Sequence, residues 1–144
     1  MLRKLVAAAA LGLALAAGAA APAHAAGNPP GSIEQISGSG YLYEYSNWGG
    51  IFFRTTLSDS RWIMPNDYYQ VFVIGTDRKV WTKWSGSFGL TAWTDQLGGR
   101  CNGAFRLTHK ASGWNVTLRC MGMDGLHWIN KRNPAGAWTG WRQE

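Results

Sequence analysis

One motif occurs twice in this chain and points to a repeat architecture. The first copy runs Gly75-Thr76-Asp77-Arg78-Lys79-Val80-Trp81-Thr82-Lys83-Trp84 and closes with Ala92-Trp93-Thr94. The second runs Gly122-Met123-Asp124-Gly125-Leu126-His127-Trp128 and closes with Ala137-Trp138-Thr139-Gly140-Trp141. Asp77 and Asp124 lie 47 residues apart, and Trp93 and Trp138 lie 45 apart. Self-similarity at about 40–50 residues is the period of one four-stranded propeller blade. An aromatic at each turn also offers a repeated surface for a ligand.

From Tyr41 onward no helical periodicity is visible. Short aromatic and β-branched runs alternate with Gly, Asn, Asp and Ser clusters, a strand-and-turn pattern. Strands are expected at residues 41–45, 51–57, 68–74, 80–84, 92–96, 104–109, 114–120, 126–130 and 137–142. Residues 104–109 and 114–120 flank Lys110-Ala111-Ser112-Gly113, which reads as a hairpin. The last four strands group as one antiparallel blade, and the preceding ones form a second ending at Leu97. The expected fold is therefore all-β: two four-stranded antiparallel propeller-type blades. Residues 26–40, with Asn28-Pro29-Pro30-Gly31, read as a flexible lead-in.

The first 25 residues carry a different signal. Arg3 and Lys4 precede an Ala-rich apolar stretch over residues 5–20, and Ala23-His24-Ala25 follows as a small-x-small cleavage site. That is the layout of a secretory signal peptide rather than of a membrane anchor. Its removal from the 144 residues leaves 119, enough for one small domain, and brings the net charge of +6 to +4. The remaining charges are scattered, without the basic patch a nucleic-acid partner needs. No further segment is apolar enough to span a bilayer. Export also permits a disulfide between the two cysteines, Cys101 and Cys120.

The Gly-x-Asp turn, the apolar–aromatic strand, the small-Trp-x-x-Trp strand and the Leu97-Gly98-Gly99 exit resemble the blades of bacterial tectonin-like and fucose-binding propeller lectins. The likeness covers residues 69–99 and 104–141. It implies a propeller-type sugar-binding module. The chain departs from the pattern at Asp77-Arg78-Lys79, where Asp-Gly is more usual, and at its final Arg142-Gln143-Glu144. A closed propeller needs at least about four blades, and two are present. The expectation is a homo-oligomer whose chains together complete a ring, or an open pair of sheets.

Nine tryptophans fall between Trp48 and Trp141. An indole face stacks on the weakly apolar face of a sugar ring, and its N–H bonds a hydroxyl; an indole also fills space between twisted sheets. The candidate ligand-binding residues are Trp84, Trp93, Trp138, Trp141, Asp77, Asp124 and His127. For the two aspartates a turn-forming role competes, because Asp in a tight turn bonds its own backbone. No cofactor or metal is expected: Cys-x-x-Cys and His-x-x-x-His spacings are missing. No serine stands in a nucleophile elbow, so an enzyme is not expected. The reading is a secreted carbohydrate- or glycoconjugate-binding module with shallow aromatic sites between blades. The alternatives are a secreted protein-binding module or inhibitor using exposed Trp faces, and a small secreted hydrolase.

Overall fold

The computed structural model describes residues 29–38, 40–53, 61–110 and 113–144. The segment read as a signal peptide lies outside them, as do residues 54–57 of one expected strand. The described chain is all-β, with eleven strands in two antiparallel sheets and one short 3-10 turn at Pro65–Asp67. The first sheet has seven strands: β1 (Ile33–Gln35), β2 (Leu42–Tyr45), β3 (Gly49–Phe53), β4 (Arg61–Ile63), β5 (Tyr69–Gly75), β6 (Val80–Gly86) and β7 (Gly89–Leu90). Its order is β1-β2-β3-β5-β6-β7, with β4 also paired to β5. The second has four: β8 (Cys101–Lys110), β9 (Val116–Gly122), β10 (His127–Arg132) and β11 (Arg142–Gln143), in the order β11-β10-β9-β8.

The two expected four-stranded units are thus one seven-stranded and one four-stranded sheet. Strand β1 falls inside the segment read as a flexible lead-in and pairs with β2 through Ile33 opposite Tyr45. Residues 92–96 are not a strand. Only Thr94 pairs, with Thr82, because a turn from Asp95 to Gly98 starts at once. The expected strand 137–142 is cut for a similar reason. Gly140, at φ 78°, bends the backbone between the Trp138–Arg132 bridge and β11.

The pairing register identifies the repeat. Phe52 stands opposite Gly75 in the first sheet, and Cys101 opposite Gly122 in the second. Trp81 faces Val73, as Trp128 faces Cys120. Thr94 faces Thr82, as Arg142 faces Ile129. Trp93 is therefore equivalent to Trp141, not to Trp138 as the Ala-Trp-Thr match suggested. Strands β3 and β4 together occupy the place that the long, bulged β8 fills in the second sheet.

Strand β5 is buried on both faces, which explains its nearly unbroken apolar run. Phe72 and Ile74 join Val80, Leu97, Phe105, Val116, Leu118 and the cysteines in the main core between the sheets. Val71 and Val73 face a second core with Tyr45, Trp48 and Phe52. Cys101 and Cys120 form the expected disulfide, with Cα atoms 5.8 Å apart. In the first repeat the equivalent positions hold Phe52 and Val73, both in the second core. A covalent clip in one unit thus replaces an apolar contact in the other.

Candidate functional site

Each repeat builds the same small structure around its turn. Asp77 Oδ1 accepts hydrogen bonds from the Lys79 backbone N–H and from Trp81 Nε1, both at 3.0 Å. Asp124 Oδ1 accepts from the Leu126 N–H at 3.0 Å, and its carboxylate accepts from Trp128 Nε1 at 3.1 and 3.2 Å. The aspartates therefore hold the turns, and through the turns they fix the indoles. Partial desolvation pushes the Asp77 carboxyl up, but bonds from Trp81 and Lys79 outweigh it and hold the pKa below the usual 3.8.

The turn places the residue after its aspartate at positive φ, where Gly125 sits at 78° and Arg78 at 67°. This accounts for the departure at Asp77-Arg78-Lys79. A side chain in this region is strained, and Arg78 is held there by packing. Its guanidinium lies 4.2 Å from the Phe53 ring centroid and donates to Asn102 O at 3.3 Å.

A second indole completes each unit. Trp93 lies against Gly50, where an added Cβ would fall 2.5 Å from its Nε1, and Trp141 lies in the same way against Gly99. The flanking pairs Gly49-Gly50 and Gly98-Gly99 match in conformation, at φ 61° and 85° against 62° and 82°. Trp141 Nε1 donates to Leu97 O and Gly98 O. In the first repeat, Lys83 Nζ takes the equivalent carbonyl, Trp48 O, at 2.8 Å. Trp93 Nε1 is then buried without a partner among the described residues. Burial pushes the Lys83 ammonium down from its ordinary pKa.

These groups line two cavities. One, of about 410 Å³, is bounded by Gly50, Ile51, Val73, Gly75, Thr76, Asp77, Trp81 and Trp93. The other, of about 350 Å³, is bounded by Gly99, Arg100, Cys120, Gly122, Met123, Asp124, Trp128 and Trp141. Taken in order, the two sets are equivalent position by position. Both are apolar clefts with two half-buried indoles and one carboxylate at the rim. Arg100 stands in place of Ile51 and Met123 in place of Thr76, so the clefts are copies with different edges.

The expected site residues divide. Trp93 and Asp77 meet in the first cleft, and Trp141 and Asp124 in the second. Trp84 and Trp138 belong instead to a third cavity of about 390 Å³ with Gln70, Trp114 and Arg132. His127 pairs with Met121 on the opposite face of β10 from Trp128, and its carbonyl accepts the Glu144 N–H. Trp81 and Trp128 were not singled out from the sequence, although the Gly-x-Asp-x-x-x-Trp spacing is identical in the two copies. Among the described residues no three of His, Cys, Asp and Glu gather as a metal site requires.

The described residues define an all-β protein with one disulfide and a duplicated aromatic cleft. No helix among them is long and apolar enough to cross a membrane. Compared with protein-family models and with curated proteins, the chain matches none at a significant level.

Proposed function

We propose that the protein is an exported carbohydrate-binding module that presents two equivalent shallow sites. The observation that carries this reading is the position-by-position duplication of the clefts, in which both glycines, the aspartate and both tryptophans recur. An indole can serve packing between twisted sheets, but packing alone does not require two indoles, an aspartate and two close-approach glycines to recur together beside an open cleft. The indole faces suit the C–H face of a pyranose, and Asp77 and Asp124 stand where they can accept sugar hydroxyls. The tectonin-like, fucose-binding resemblance of these segments supports the same class, and on that reading the two units are propeller-type blades. Single sites of this kind bind weakly, so two on one chain, or more in an oligomer, gain by avidity. An intramolecular disulfide is compatible with an extracellular setting.

Glycan-array binding and titration with the best glycan test the reading. Trp93→Ala and Trp141→Ala should each remove one site, and the double variant should remove both while retaining the folded circular dichroism spectrum. A flat array for the native protein would exclude the sugar reading. A protein-binding module is the second reading, favoured by Phe88, which stands fully exposed at the tip of the β6–β7 hairpin. A flat array together with a protein partner lost on Phe88→Ser would support that alternative.

A further inference from the structure

We propose that the third cavity is an anion site, in which Arg132 receives the carboxylate of a small hydroxylated acid. Arg132 is 4% exposed and lies between the two sheets. Its Nε donates to Trp114 O at 2.7 Å and its Nη1 to Gln70 Oε1 at 2.6 Å. Both acceptors are neutral. Nη2 is buried with no partner among the described residues. The Trp114 and Trp138 rings flank the guanidinium, with centroids at 5.2 and 5.1 Å. Burial pushes its pKa down to about 10, so it remains charged at neutral pH.

A buried cation without a counter-charge is heavily penalised unless it is paired. Here two cation–π contacts and two neutral acceptors offset the burial only in part, and Nη2 meets no acceptor among the described residues. Arg132 borders the cavity of about 390 Å³, so a bound anion can supply the missing charge. The remaining lining residues narrow the ligand. None of them is cationic, so one negative charge is matched and a second is not, which favours a carboxylate over a phosphate dianion. Tyr68, Ser87 and Gln96 bring hydroxyl and amide groups, and Trp84 and Trp138 bring ring faces, which suits a hydroxylated body such as a sugar acid. Trp114, 38% exposed, lines the same cavity beside Arg132. This site does not depend on the duplicated clefts binding sugar.

Thermal unfolding of the protein at pH 7 and fixed ionic strength, with sodium glucuronate, glucose or inorganic phosphate, tests the assignment. A ligand that binds only the folded state raises Tm in a saturable way. Glucuronate should raise Tm more than glucose does, and phosphate should not reproduce that excess. Gln70→Glu places a carboxylate beside Nη1, so this variant should remain folded and lose the excess. Arg132→Met, which keeps the length of the side chain without its charge, should lose it too. Equal shifts with glucuronate and glucose, or an excess that survives in Gln70→Glu, would overturn the proposal. An equal excess with phosphate would overturn the carboxylate assignment.

Discussion

Trp81 and Trp128 are held from two sides, by an aspartate at the indole N–H and by a glycine under the ring. A Cβ on Gly75 would lie 2.6 Å from Trp81 Cδ1, and one on Gly122 would lie 2.7 Å from Trp128 Cδ1. Neither distance is tolerated without moving the ring. Gly122→Ala should therefore destabilise the protein by about 1–3 kcal/mol, the usual range for overpacking, as read by urea denaturation. It should also shift the Trp128 indole N–H resonance. The Asp77 carboxylate gives a pH signature. Its folded pKa lies below the ordinary 3.8, so its contribution is complete above that value and is lost as pH falls through the folded value. The Trp81 indole N–H, assigned through Trp81→Phe, should titrate with a midpoint below 3.8. A midpoint above that would show that the bonds from Trp81 and Lys79 do not outweigh desolvation. This scale was the most legible from sequence, since Gly, Asp and Trp recur at fixed short spacing. Arg132 was not, because its partner Gln70 lies 62 residues away and no local pattern announces the contact.

At the level of elements, long apolar or alternating runs declared themselves and short pairings did not. The run at β5 and the β8–β9 hairpin were readable because burial on one or both faces dictates their composition. Strands β1, β4 and β7, of two or three residues, carry too little pattern, and β1 is paired despite the Pro and Gly around it. Residues 92–96 read as a strand because Trp93 and Thr94 favour strands, while the turn from Asp95 to Gly98 decides the backbone. Lys79 Nζ meets Asp95 Oδ2 at 2.7 Å just where the pairing ends. The disulfide joins β8 to β9 where the first repeat relies on Phe52 and Val73. Loss of that clip should be felt first in the second repeat. Cys101→Ala with Cys120→Ala, or reduction, should destabilise the protein by roughly 3 kcal/mol in the chain-entropy model. Because Cys120 lines the second cleft, ligand binding there should weaken before binding at the Trp93 cleft. Chemical denaturation with and without reductant, alongside titration of single-site variants, checks both outcomes.

For the whole molecule, the informative surface is the outer face of the second sheet. In the first repeat, the row facing the second sheet includes Gln70, Phe72, Ile74, Val80 and Trp84, and most of it enters the main core. The equivalent row of the second repeat is Thr117, Arg119, Met121, His127, Ile129 and Lys131, in which Ile129 and Thr117 are buried and the charged groups are Arg119 and Lys131. Arg119, where Phe72 has its counterpart, forms an ion pair with Glu144. A stacked array needs a polar outer face on its terminal unit, and this face has that character. A ring completed by further copies, as the repeat count suggested, would have to bury Arg119, Lys131 and their hydration against an apolar partner, which is unfavourable without matching charges. Ring closure by apolar burial at this face is therefore not expected. Light scattering at micromolar concentration should give a mass unaffected by Arg119→Glu. Thr117→Val combined with Arg119→Leu, which restores an apolar row, should instead promote self-association. A native oligomer that dissociates on Arg119→Glu would show that the polar row is itself an interface, and that the ring is closed by paired charges rather than by apolar burial.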